Sequence, residues 1–190
     1  MKNLASLTDR KNDLTRQLIL DAAIEMVEAA PVHELTVRAA AKQANISERT
    51  VFRYFSSRDD LLDAVAEEMH RKLNLPSPPS TLDELLVAPR QLFSAFDKKT
   101  ALTKAALHPE IVDRIRESQG SRTGIAIEDI IDGLAPESGV QERRFAVATI
   151  RYYLTASTWY YYRFSFGFTL EESIVGAEMA IRQAINNIAQ

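Results

Sequence analysis

Residues 36–58 read TVRAAAKQANISERTVFRYFSSR. Thr36 and Ser47 are residue types that cap helix N-termini, and each is followed by a short run compatible with a helix. Asn45 tolerates the left-handed backbone that turns a chain between two helices. The spacing predicts one short helix over 37–43 and a second over 48–55. Val37, Ala40, Ala41, Ala44, Ile46, Val51 and Phe55 recur at the steps of an inward face, and the small Ala40 and Ala41 let the two helices approach closely. Arg38, Ser47, Glu48, Arg49, Thr50, Phe52, Arg53 and Tyr54 are left for the outer face or its margins. Two such helices bury little alone and need a third behind them. Residues 14–30 supply it, with Leu14, Leu18, Ala22 and Met26 beside Ile19, Ala23 and Val27 on one stripe, and Pro31 ends it. This is a helix-turn-helix pattern, in which the second helix presents its N-terminal side chains to base edges in the major groove.

Charge supports that pattern. Residues 36–58 carry Arg38, Lys42, Arg49, Arg53 and Arg58 against Glu48 alone, in a chain whose formal net charge is −3. A basic island on an acidic chain reads either as a small footprint that meets phosphates or as a solvated helix face. The chain has 190 residues, 46% of them hydrophobic, enough for one ordinary domain and a small second one. With no cysteine, a disulfide scaffold, a thiolate zinc site and a cysteine nucleophile are excluded. His33, His70 and His108 are too far apart in sequence to seed a metal site, no glycine-rich phosphate loop occurs, and no cofactor is expected. The segment from Met1 to Arg16 is polar and charged, unlike a secretory signal. The longest charge-free apolar stretch, 152–162, is about half of the roughly 20 residues a membrane span needs. These features predict a soluble, cytoplasmic protein that does not enter a membrane.

Beyond the motif the chain reads as helices throughout. Ser57-Arg58-Asp59-Asp60 fits a capping box opening a helix to about Leu73. Three prolines in NLPSPPS, 74–80, mark a linker. Thr81-x-x-Glu84 restarts a helix that Pro89 should kink or split before Phe93 and Phe96. Helices follow at about 109–132 and, long and aromatic-rich, at 140–166. Gly167 stops the latter, and Thr169-x-x-Glu172 opens the last, 170–188. No alternating strand pattern of useful length appears, so the fold class is all-α.

The run ILDAAIEMVEAAPVHELTVRAAAKQANISERTVFRYFSSRDDLLDAV, residues 19–65, resembles the DNA-binding domain of the TetR family of transcriptional regulators. The resemblance rests on the ILDAA opening, LTVRxxA at 35–41, ISxxTVFRYF at 46–55, and the basic residue followed by DLL. It implies a DNA-binding domain over 13–73, linking fourth helix included, and a regulatory and dimerisation domain over 81–190. It implies further that Thr36 contacts phosphate and Arg38 a base, and that Ser47, Glu48, Arg49 and Thr50 lie where the recognition helix meets DNA. Phe52 and Tyr54 take its two aromatic contact positions, and Arg58 resembles the family's phosphate-gripping lysine. Three positions depart from the usual pattern: Phe52 for a common tyrosine, Asn45 for a turn glycine, and Ala30-Pro31 for a basic residue and glycine.

The implied function is a ligand-responsive repressor, a homodimer that releases a palindromic DNA operator on binding a small, mostly apolar effector. In the last helix Ile174, Ala177, Ile181, Ile185 and Ile188 recur at helical steps with Ala184 alongside, which suits either a dimer interface or a core-facing stripe. For the effector, Tyr152, Thr155 and Trp159 share a face, with Arg151 nearby and Phe93, Phe96 and Leu107 from preceding helices. Such aromatic rows line a ligand cavity or simply form core. Acting as an activator on the same fold and a helical protein-interaction adaptor are the alternatives. The adaptor leaves the basic island without a role. No acid pair has a base or metal partner that would make an enzyme.

Overall fold

The computed structural model describes residues 7–119 and 122–189. Residues 1–6, part of the polar N-terminal segment, lie outside it, as do 120, 121 and 190. Among the described residues the chain is helical without a strand. It divides into two compact units, Met1–Lys72 with Lys104–Ser118, and Leu73–Thr103 with Gln119–Gln190.

In the first unit, helix α1 spans Leu7–Ala29 and a 3₁₀ turn Val32–Glu34 leads to α2, Val37–Gln43, α3, Glu48–Tyr54, and α4, Arg58–Leu73. Each boundary has a local cause. Thr36 and Ser47 accept hydrogen bonds from the N–H groups of Ala39 and Thr50, both at 3.1 Å. Asn45 takes the left-handed conformation at φ 54°, and the Ile46 N–H closes back on the Ala41 carbonyl. Ser57 accepts from the Asp60 N–H, and Asn74, also left-handed, follows the end of α4. Ile19, Leu20, Ala23, Val27, Val37, Ala40, Ala41, Val51, Phe55, Leu61, Leu62 and Val65 are buried. The inner stripe of α1 is one step rotated from the expected one: Leu14 and Leu18 are at least half exposed, while Leu20 and Ile24 are buried. Helix α7, Pro109–Gln119, belongs to this unit although about 35 residues separate it from α4.

The second unit holds α5, Leu82–Lys98, α8, Arg122–Leu134, α9, Val140–Tyr153, α10, Ala156–Tyr160, and α11, Leu170–Asn186, with α6, Thr100–Ala106, running from it into residues of the first. Two expectations fail here. Pro89 does not split α5, which is one element over Leu82–Lys98. It is buried on the same stripe as Leu85, Ala88, Phe93 and Phe96, and burial of that stripe outweighs the roughly 3 kcal/mol that an interior proline costs a helix. The helix expected over 140–166 is broken at Thr155. Its hydroxyl accepts from the Thr158 N–H and donates to the Tyr152 carbonyl, as does the Thr158 hydroxyl, so side chains replace the helical ladder. A π-helical turn over Tyr161–Ser165 then carries the chain to Gly167, at φ 72°.

At Asn45 a side chain that prefers right-handed geometry is strained. Asn45→Ala should destabilise the chain by about 1 kcal/mol, whereas Asn45→Gly should be neutral, as measured by chemical denaturation.

Candidate nucleic-acid interface

Helices α2 and α3 bury their apolar stripe and leave their polar side chains outward. Arg38, Lys42, Ser47, Glu48, Arg49, Phe52 and Arg53 are exposed, as is the capping Thr36, with Thr50 and Tyr54 half-buried. The structure thus gathers on one small surface residues drawn from two helices and the turn between them. Arg38 Nε donates to Glu48 Oε1 at 2.9 Å, joining the start of α2 to the start of α3, and this bond and charge raise the Arg38 guanidinium above its ordinary value. The Ser47 and Thr50 hydroxyls lie 2.8 Å apart. The Tyr54 hydroxyl accepts from Arg53 Nη2 and donates to Asn12 Oδ1, both at 3.2 Å, with the Arg53 guanidinium over the Tyr54 ring. Asn12 on α1 carries no sequence signal of this contact. It stands 42 positions from Tyr54, beyond any local spacing signal.

Arg58 makes internal bonds that the resemblance does not imply. Its Nε donates to the Leu35 carbonyl at 2.8 Å, Nη2 to the Val32 carbonyl at 3.0 Å, and Nη1 to Glu110 on α7 at 2.7 Å. A guanidinium bonded to two backbone carbonyls and a carboxylate has most of its donors engaged within the protein. The Arg58 hydrogen bond is the chief cause that holds the Glu110 carboxyl below the ordinary value of 4.5, with the nearby His108 and Arg114 adding to it. Arg114 pairs with Asp59 and Asp63 one turn along α4. Together these contacts fix the segment that delivers Thr36 and Arg38.

Of the seven effector residues inferred from sequence, three come together and four lie elsewhere. Phe93, Phe96 and Trp159 are buried in one packed cluster with Ile174 and Ala177, the ring centroids of Phe96 and Trp159 being 6.0 Å apart. Trp159 Nε1 and Arg163 Nε both donate to Asp97 Oδ1. These aromatic faces are spent on core. Tyr152 and Arg151 are exposed, Thr155 caps α10, and Leu107 belongs to the other unit. The isoleucine row of α11 is buried as well. Ile174, Ala177, Ile181, Ile185 and Ile188 are buried in the unit's own core, with Ala184 half-buried at its edge. The outward residues of these helices are others: Phe145 of α9 is 62% exposed and Met179 of α11 66%. Between α9 and α11 lies a groove lined by Phe145, Thr149, Tyr153, Ala180, Gln183 and Ala184.

Among the described residues, no cluster suited to a metal ion occurs, and no helix is long and apolar enough to cross a membrane. Residues 19–65 match the family described as "Bacterial regulatory proteins, tetR family". The nucleoid occlusion factor SlmA of Marinomonas sp. (strain MWYL1) is 32% identical over 72 residues, so the match spans 36% of this chain and about a third of that relative. The fold resembles that of the fatty acid degradation regulator FadR from Bacillus halodurans, with a TM-score of 0.62 at 18% identity over 88% of this chain and 94% of that one. FadR from Bacillus subtilis, solved in complex with stearoyl-CoA, gives 0.55 at 18% identity over 90% and 98%.

Replacing Arg58 by lysine keeps the charge but loses the fork, and should destabilise the chain by about 1–3 kcal/mol in denaturant titration. Because the folded Glu110 carboxyl lies below its ordinary value, its contribution is complete above pH 4.5 and is lost as pH falls through the folded value. Glu110→Gln should flatten that acid-side loss of stability, measured as the denaturation midpoint against pH.

Proposed function

We propose, from the tetR-family match over residues 19–65, that this chain is a DNA-binding transcriptional regulator. It acts as a homodimer on a palindromic operator and releases it on binding a small, mostly apolar effector. The observation that carries the reading is the division of α2 and α3: their apolar stripe is buried, and exposed Arg38, Lys42, Arg49 and Arg53 share a surface with the capped N-terminus of α3. A capped N-terminus of a recognition helix suits a major groove, and neighbouring cations suit its phosphates. Thr36, Arg38, Ser47, Glu48, Arg49, Thr50, Phe52 and Tyr54 form the proposed interface, with Arg58 positioning them from behind.

One such helix reads too few bases, so two copies related by a two-fold axis are needed. The exposed apolar side chains of α9 and α11, Phe145, Val175 and Met179, support a four-helix interface there. In this reading the dimer uses the two helices inferred from sequence but the opposite face of α11. The effector would enter the second unit, where a groove of about 240 Å³ lies among Pro76, Pro79, Ala88, Leu92, Thr123 and Leu154. A fold neighbour crystallised with stearoyl-CoA supports an effector with an apolar chain. A protein that works on the operator acts in the cytoplasm.

The test is a duplex-binding titration at rising salt, where phosphate neutralisation makes log affinity fall linearly with log salt. Arg49→Ala should lower affinity about tenfold or more and relax preference at one base pair. Arg58→Ala should leave the salt slope unchanged, since the lost bonds are internal. Met179→Glu should give folded monomers by light scattering, while Ile181→Glu, a charge in the unit's own core, should unfold the chain instead. Salt-independent or absent duplex binding overturns the reading.

A further inference from the structure

The Arg38–Glu48 pair contributes little to the fold. Its side chains are 82% and 46% exposed, and ion pairs of that kind are worth little in water. Their geometry is nevertheless specific. Glu48 is the first residue of α3, and Ser47 just before it caps the helix by accepting from the Thr50 N–H. Its carboxylate takes Arg38 through Nε, the inner nitrogen of the guanidinium. Among the described residues, Nη1 and Nη2, the two outer nitrogens, make no hydrogen bond. A guanidinium held at Nε keeps those two as a free fork of donors, and here the side chain is 82% exposed. Among the described residues, Arg49 on the same surface has no such tether.

Resting on the reading of α2 and α3 as a DNA-binding surface, we infer that Glu48 is a positioning residue that holds Arg38 end-on for a guanine. In the major groove guanine alone offers two acceptors side by side, O6 and N7. Adenine pairs an acceptor with a donor, thymine offers one acceptor and a methyl group, and cytosine a donor. A fork with only donors therefore fits guanine and no other base bidentately. The tether removes rotamer freedom from a long side chain before DNA arrives, so less ordering remains to be done on binding. It also reassigns Glu48. An anion within a phosphate-lined groove is repelled unless it is neutralised, and Arg38 neutralises it.

The experiment selects binding sites for the full-length chain from a random duplex library, then repeats the selection with Arg38→Ala and with Glu48→Gln. The second variant keeps the shape and removes the charge. The expected result is one guanine per half-site whose preference Arg38→Ala abolishes. Glu48→Gln should cut preference at that same position about tenfold, leaving other positions and the melting temperature unchanged. Both side chains are exposed, so neither variant threatens folding. The inference is overturned if Arg38→Ala relaxes a base other than guanine, or if Glu48→Gln leaves that preference intact. It is also overturned if Glu48→Gln shifts a different base pair, which would make Glu48 a reader in its own right. Salt-dependent duplex binding with any of these outcomes overturns the inference alone. A chain that selects no duplex overturns it together with the functional reading.

Discussion

A seven-residue helix does not hold itself together in water, because nucleation costs more than so few hydrogen bonds return. Helices α2 and α3 are both of that length, and everything in the first unit follows from stabilising them. Each starts at a side-chain cap, each packs its apolar stripe into a shared core, and the turn between them adopts the one conformation that returns the second helix across the first. The Arg58 guanidinium completes the arrangement by tying the Val32 and Leu35 carbonyls, just ahead of α2, to α4 and to Glu110. Buried polar backbone at a chain crossing must find partners, and here one planar fork satisfies two carbonyls at once.

That scaffold leaves the outward side chains free of structural duty. Arg38, Arg49 and Phe52 do not fill the core, so their identities can be set by whatever the surface meets. The same separation governs the second unit, with the opposite outcome. There the sequence is richest in aromatic residues, and Phe93, Phe96 and Trp159 go to the core, with Asp97 satisfying the indole N–H and Arg163 together. The apolar side chains that remain outside, Phe145 and Met179 among them, are those with no place in that core.

Most of the fold was legible locally. Caps at Thr36, Ser47, Ser57 and Thr169 are short-range hydrogen bonds between a side chain and an N–H three residues on, so their signal lies within four residues. Asn45 marks a turn because few other side chains tolerate its geometry. The structure departs from the local signal where a long-range term competes with a local one. Pro89 reads as a break and yet sits inside α5, because burial of the stripe around it overrides propensity. Thr155 reads as a helical residue, and its hydroxyl network breaks the helix.

Residue type and spacing determined the all-α class, the helix-turn-helix and the residues that line its outer face, since each depends on contacts within a few positions. Which face of an apolar helix meets its own core is a different kind of question. The isoleucine row of α11 fits a core or a partner equally well by spacing, and only packing against α5 and α9 assigned it to the core. Arg58 is likewise a basic residue at a helix start by sequence alone. Its role turned on Glu110, 52 positions away, because a guanidinium bonds whatever acceptors the tertiary structure brings within about 3 Å.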